Sequence, residues 1–446
     1  MLGEPKAAIR SMVLPFLIAM AVVEINQFVD TFWVSGLGVE SASAVSTIIP
    51  VYGLMMCAGI GIAAGITTTA AFRLGRSEKE AAGSLAANSL ILGIILAVVS
   101  SILVVIFLNP IIDIMGAQDV RDQAVQYMLP YIFLSPAIIL ISIVGGMLRA
   151  EGAAKKSTIV QAIAAILNMA IDPIFIYVLG MGVFGAGLAT AISSAIALAV
   201  GLYWYVRKRT IIEVNRKNFH IEKWAMSEVL GVGGPKTVQL FISNFTDFVQ
   251  RVFLIIAGGT SAVMLYNYTW RYIGVVVLPG RAIDTAMLPV CSSAFGQNDL
   301  RKMRDGYLYA LKLVMIFGIG FSVFLFVFAE PLMSIMTYEE SMHEYLSQFV
   351  WTLQISSIVI PFVAVMGVSS SLLQSMKKAK IPMYYFMFWG FMKLGLYALA
   401  AYGYFGIDPF EGIIYSMVVM HVFGAAYLVL MARTEYRKVS SSVSQA

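Results

Sequence analysis

The sequence predicts an all-α polytopic membrane protein, with twelve transmembrane helices in two pseudo-symmetric six-helix lobes. Three observations carry this prediction. The chain of 446 residues is 59% hydrophobic and only 12% charged, with a mean hydropathy of +0.84. A soluble protein of this length could not bury so much apolar surface. Apolar stretches of spanning length recur from end to end with short polar breaks, and Lys and Arg cluster in every second break.

The spans fall at about 12–34, 44–72, 84–108, 127–148, 158–180, 184–206, 229–257, 262–291, 307–329, 347–373, 381–404 and 411–432. Barrel strands are excluded, because they run about ten residues and alternate polar with apolar. The basic breaks hold Lys6 and Arg10; Arg73, Arg76 and Lys79; Arg149, Lys155 and Lys156; Arg207 through Lys223; Arg301, Lys302 and Arg304; Lys377, Lys378 and Lys380; and Arg433, Arg437 and Lys438. The alternate breaks hold Arg121 with acids such as Asp113, Asp119, Glu339, Glu340 and Glu344. This positive-inside pattern places both termini in the cytoplasm and the protein in the plasma membrane. The same placement rejects a nucleic-acid reading of the net charge of +5.

The first span carries Glu24, Asn26, Gln27 and Asp30. Spacings of three and four put Asn26, Gln27 and Asp30 on one helix face. Glu24 lies six residues before Asp30, about 120° around the helix, toward the inner mouth. The run is too long and too polar for the core of a cleavable signal. In the second span, IGIAAG (Ile60–Gly65) is a helix-packing stretch of small residues.

The fifth span carries Asn168 and Asp172 one turn apart, and the sixth carries Thr190. A carboxylate inside a bilayer costs roughly 2.5–3.5 kcal/mol on insertion scales. No Lys or Arg lies within the first six spans away from their ends, so a buried ion pair cannot account for these acids. Asp30 and Asp172 fall at similar depth, and with amide and hydroxyl oxygens they suit a Na⁺ or H⁺ coupling site. The residues alone do not choose between the two ions.

The break from Val206 to Glu228 divides the chain: first lobe 1–206, cytoplasmic linker 207–228, second lobe 229–434 and a polar tail 435–446, whose last segment VSSSVSQA is expected to be disordered. The halves align weakly. Pro15 falls on Pro235, Gly38 on Gly258, and Ser41-Ala42 on Ser261-Ala262; farther on, Leu148 falls on Leu373 and Lys155 on Lys380. An even number of spans per half gives parallel repeats, a plan in which the site lies between the halves.

In the seventh span Asn244, Asp247 and Arg251 share a face, with Asp247 and Arg251 spaced as an acid–base pair; Arg281 and Asp284 in the eighth read the same way. In the eleventh span Lys393 takes the position of Asn168 and Tyr397 that of Asp172. Lys393 is free to pair with Asp247, to meet an anionic substrate or to snorkel. Dense aromatics, Tyr266 to Tyr272 and Tyr384 to Phe391, suit packing and interfacial belts. Cys57 and Cys291 fall inside spans and form no disulfide framework. The sequence has no metalloprotease His motif and no P-loop, so neither an enzyme nor an ATP-driven pump is expected.

Several segments resemble the multidrug and toxic compound extrusion transporters. They are FVDTFWVSGLG (Phe28–Gly38), FRLGRSEKEAA (Phe72–Ala82), MLRAEGAAKKS (Met147–Ser157), NMAIDP (Asn168–Pro173) and GVFGAGLATAIS (Gly182–Ser193). The resemblance implies two six-helix lobes forming a V. It also implies efflux of organic, often cationic, compounds against entry of Na⁺ or H⁺, with no cofactor beyond that ion. Its branch with a first-lobe cation site places the ion at positions matching Asp30, Asn168, Asp172 and Thr190. A second branch uses acids in helices seven and ten. Asp247 matches the first of these, but span ten carries no acid. The expected partners are small organic substrates and the bilayer, with the protein a monomer. Rival readings are a lipid or saccharide-lipid flippase of the same superfamily, and an intramembrane enzyme or passive channel.

Overall fold

A computed structural model of the chain describes residues 3–114, 118–337 and 340–445. Glu339 lies outside them. The described residues form helices and no strand. The first half comprises α1 (Pro5–Ser35), α2 (Val39–Gly75), α3 (Lys79–Ile114), α4 (Arg121–Phe133), α5 (Ser135–Ala150), α6 (Ala154–Pro173) and α7 (Gly182–Val206). α4 and α5 bend by 56° at Leu134 and act as one broken span. Pro130 and Pro136 flank that bend and remove helical hydrogen bonds there.

The second half opens with α8 (Lys223–Gly296), which doubles back as two limbs, Lys223–Gly259 and Ser261–Gly296. The fold falls at Gly258 and Gly259. Gly259 adopts φ +66° and ψ −154°, a conformation essentially closed to side chains. Then follow α9 (Leu300–Val327), α10 (Ala329–Met336), α11 (Leu346–Ser357), α12 (Val359–Ser375), α13 (Lys380–Ala401) and α14 (Pro409–Gln445).

By length and hydropathy, 10 described helices can span a membrane, or 11 with the bent α4–α5 pair. α13, 22 residues long, stands where the expected plan has its eleventh span. Two boundaries differ from the sequence expectation. The seventh span begins at Lys223, because the chain before it is tied down. Glu151 Oε2 accepts the N–H groups of Ile211 and Ile212 at 2.7 and 3.1 Å, and Asn88 Oδ1 accepts that of Glu222 at 2.9 Å. The expected disordered tail is helical to Gln445. Glu435 pairs with Lys378 and Lys438, and Tyr436 Oη bonds to the carbonyl of Leu300 at 3.1 Å, which anchors that extension.

The buried clusters show how the lobes meet. Toward the end away from the basic loops each lobe has its own core. Val34, Ile48, Tyr131 and Ala186 belong to one, and Leu254, Phe349, Tyr397 and Ile413 to the other. At the basic end the cores are shared. Ile9, Met12 and Phe16 of α1 pack among α8, α9, α12 and α14, while Ala225 and Val229 of α8 pack among α2, α3 and α5. Two lobes joined at one end and separately cored at the other enclose a V-shaped cleft.

Small residues set the join. A Cβ on Gly65 would lie 2.6 Å from the Val229 carbonyl, one on Gly75 2.2 Å from that of Ser293, and one on Gly296 2.1 Å from that of Phe72. IGIAAG therefore packs against the opposite lobe. α1, α2 and the two limbs of α8 face the cleft.

Candidate cation-coupling site

The first-lobe site is built where α1, α6 and α7 converge. Four-residue spacing turns Asn26 and Asp30 toward α6, and Asn168 and Asp172 toward α1. Asp172 is completely buried and Asn168 nearly so. Asn26 Nδ2 donates to Asn168 Oδ1 at 2.8 Å. Asn168 Nδ2 donates in turn to Asp172 Oδ1 at 2.8 Å and to Thr190 Oγ1 at 3.2 Å. Asp30, one turn beyond Asn26 on the same face of α1, is the neighbouring acid of Asp172.

Local chemistry explains the shape. Pro173 follows Asp172 directly and lacks an N–H, so the helix loosens into a π-turn over Ile174–Val178. The small residues of GVFGAGLATAIS let neighbouring backbones approach. A Cβ on Gly187 would lie 2.4 Å from the Tyr127 carbonyl, which admits α4 to the site.

α4 brings two tyrosines that sequence reasoning missed. Tyr131 Oη donates to Tyr127 Oη at 3.0 Å, and the Tyr131 ring lies 4.8 Å from that of Tyr52 on α2. With Tyr127 and Tyr131 rings 5.2 Å apart, the three tyrosines form one aromatic cluster where α2 and α4 meet. Their signal in the sequence was weak: Tyr127 and Tyr131 are one turn apart in an apolar span, like many packing aromatics.

Two buried oxygens, Asp30 Oδ1 and Asp172 Oδ2, have no hydrogen-bond partner among the described residues. Unpaired carboxylate oxygens in an apolar interior are costly, and a cation or a shared proton would satisfy both. The amides and Thr190 are already engaged with one another, so they act as a brace that aims the acids. No cluster of three or more His, Cys, Asp or Glu suited to a metal occurs among the described residues. The site thus presents two carboxylates with a braced amide and hydroxyl beside them, all hard oxygen and nitrogen groups.

The remaining first-lobe candidates divide. Asn26 joins the site, whereas Gln27 is exposed and its carbonyl accepts from Thr31 Oγ1 at 2.8 Å. Glu24 is half-buried on α1, one turn below Phe28.

The second lobe departs from the expected pairing. Asp247 pairs with Lys393 at 3.6 Å rather than with Arg251. Lys393 descends from α13 and is the more buried cation, so it gains more from the acid. Asp284 forms no ion pair with Arg281; Thr285 Oγ1 donates to its Oδ1 at 3.1 Å, and Lys236 of the first limb of α8 lies nearby. Lys236 was not anticipated from the sequence. Tyr397 is completely buried in the second-lobe core, which removes it as a cargo contact in this conformation.

Comparison with known proteins adds three findings. A family model described as MatE matches residues 15–174 and, a second time, 235–393, the repeat that Pro15 and Pro235 mark. The chain is 25% identical over 350 residues to the FAD transporter of Shewanella oneidensis, covering 77% of each protein. It is 27% identical over 288 residues to the multidrug export protein MepA of Staphylococcus aureus, spanning 62% of this chain and 63% of that relative. Among solved structures, a MOP superfamily transporter from Pyrococcus furiosus, described as having a binding pocket of reverse polarity that suggests a different function, superposes with a TM-score of 0.92. It is 26% identical, over 98% of this chain and 97% of that one.

Proposed function

The chain belongs to the MatE family of transporters, and from that membership we propose that it is a secondary active multidrug exporter. It moves small organic compounds out of the cell by alternating access, coupled to Na⁺ or H⁺ entry. The Asp30–Asp172 pair carries this reading, because two buried acids with unpaired oxygens need a cation to discharge them. Cation binding favours one lobe arrangement, cargo favours the other, and coupling follows from that difference. The basic end faces the cytoplasm, the protein sits in the plasma membrane, and it works as a monomer.

The relatives carry different cargoes, a flavin dinucleotide in one case and drugs in the other, so family membership leaves the charge of the cargo open. Exposed arginines on α8 favour a second reading, a lipid or saccharide-lipid flippase. The twelve-helix plan and the first-lobe acids support the exporter over it. Reconstitution into proteoliposomes, with Na⁺ and pH gradients imposed separately, tests the proposal. Cargo movement driven by either gradient supports it, and movement indifferent to both refutes antiport.

A further inference from the structure

The second-lobe wall of the cleft carries two arginines that no carboxylate neutralises among the described residues. Arg251 and Arg271 are exposed, although each sits on a limb of α8 apolar enough to span a membrane. Neither forms an ion pair among the described residues. A guanidinium turned toward lipid is costly, so such residues face protein or water-filled space.

Two contacts orient them. The Arg271 guanidinium lies 5.3 Å from the ring centre of Phe28, on α1 of the opposite lobe. Asn244 Nδ2 reaches Cys57 Sγ of α2 at 3.2 Å, and Arg251 lies two helical turns farther along that same face. Both arginines therefore look across the cleft. On the same limb as Arg271, Tyr266 stacks on Trp270 at 5.3 Å with the rings 14° from parallel, both partly buried against the second-lobe core. Exposed Asn267 precedes Arg271 by one turn. Asp247, the acid of this wall, is already held by Lys393.

We propose that this wall is the cargo receptor, and that the cargo it takes is a planar aromatic anion. A phosphate, sulfonate or carboxylate sits on the two guanidinium forks, and the ring lies against Tyr266 and Trp270. The inference rests on the efflux reading above and adds the class of compound carried. Guanidinium forks match such oxyanions bidentately and stack on flat rings. Phe28 stands two residues before Asp30 on α1, so cargo and cation act on the same helix from opposite sides.

The test uses two xanthene dyes of one ring system, a fluorescein-type dianion and a rhodamine-type cation, with the full-length protein in detergent. Fluorescence anisotropy reads binding whether or not transport occurs. The wild-type protein is expected to bind the dianion at least about tenfold more tightly than the cation. Replacing both residues, Arg251→Gln with Arg271→Gln, is expected to remove that preference while cation-dye binding persists, which also reports an intact fold. Arg251→Lys with Arg271→Lys keeps the charge but loses the fork, and should hold the dianion at intermediate strength. A wild-type preference for the cationic dye overturns the proposal. So does dianion binding by the Gln pair equal to that of the wild type or of the Lys pair. Selective dianion binding without movement of either dye in proteoliposomes would overturn the efflux reading and leave the receptor standing.

Discussion

Arg73 at the end of α2 donates to both oxygens of Glu228 on the first limb of α8, from Nε at 3.2 Å and Nη2 at 2.5 Å, and so ties one lobe to the other. Lys377, from the turn after α12, reaches the same carboxylate at 2.7 Å and lies 3.6 Å from the ring centre of Phe72. Glu228 is therefore held from both lobes at once, at the end where their cores merge.

Glu228→Gln should loosen this latch. A charge-assisted hydrogen bond contributes about 1.5–3 kcal/mol, so loss of the fork should raise the population opened at the basic end by roughly tenfold or more. A cysteine placed at Ser293, buried against Gly75, should then react faster with an impermeant maleimide applied from that side. An unchanged labelling rate would show that the latch does not govern opening.

Gly65→Val should act on the same equilibrium by contact. Its Cβ would meet the backbone carbonyl of Val229 at 2.6 Å, and backbone cannot rotate out of the way. Each lobe can still fold, because the clash lies between lobes. The variant is expected to insert normally, label readily at the Ser293 position, and transport at no more than about a tenth of the wild-type rate. Normal transport would mean that the lobes do not close as tightly as this during the cycle.

Asp172→Asn and Asp30→Asn should uncouple transport from the ion gradient. Each variant leaves one carboxyl where two faced each other, so cation binding and release lose their preferred states. Gradient-driven accumulation should fall by at least about tenfold, while cargo binding in detergent persists. Accumulation at the wild-type level in either variant would remove that residue from the coupling site.

Asn26→Ala should weaken the site without abolishing it. Asn168 Oδ1 would lose the donor that holds it at 2.8 Å, and Asn168 aims Asp172. A supporting residue of this kind is worth about tenfold in ion affinity. The expected signature is a higher ion concentration for half-maximal transport with an unchanged maximal rate. A fall in the maximal rate alone would point to a structural role.

Glu151 lies outside the spans and gives a pH-dependent test. Burial pushes its carboxyl above the ordinary range, with the N–H donors of Ile212 and Ile211 opposing that shift. The folded chain then holds this proton more tightly than the unfolded chain. Its contribution to stability is full below the unfolded value and is lost as pH rises through the folded one. Glu151→Gln should flatten that part of the melting-temperature profile, and Glu151→Ala should speed proteolysis between 207 and 222. A melting profile identical to the wild type would place the titration elsewhere.

Hydropathy, charge alternation and repeat spacing were enough to determine the helical membrane class and its two repeated halves, and helix-face spacing singled out Asp30, Asn168, Asp172 and Thr190 as candidates. Each of these follows from local rules: a bilayer demands long apolar helices, and a four-residue spacing fixes a helix face. Partner choice between helices was not legible. Asp247 had Arg251 one turn away, yet it pairs with Lys393 from α13, because distance in space decides which charge an acid meets. Tyr127 and Tyr131 read as packing aromatics in the sequence; it is Gly187 that lets α4 approach α7, the helix of Thr190. The Arg73–Glu228 latch joins residues far apart in the chain. Only the tertiary fold places them together, through close approaches at glycines that the sequence marks merely as small.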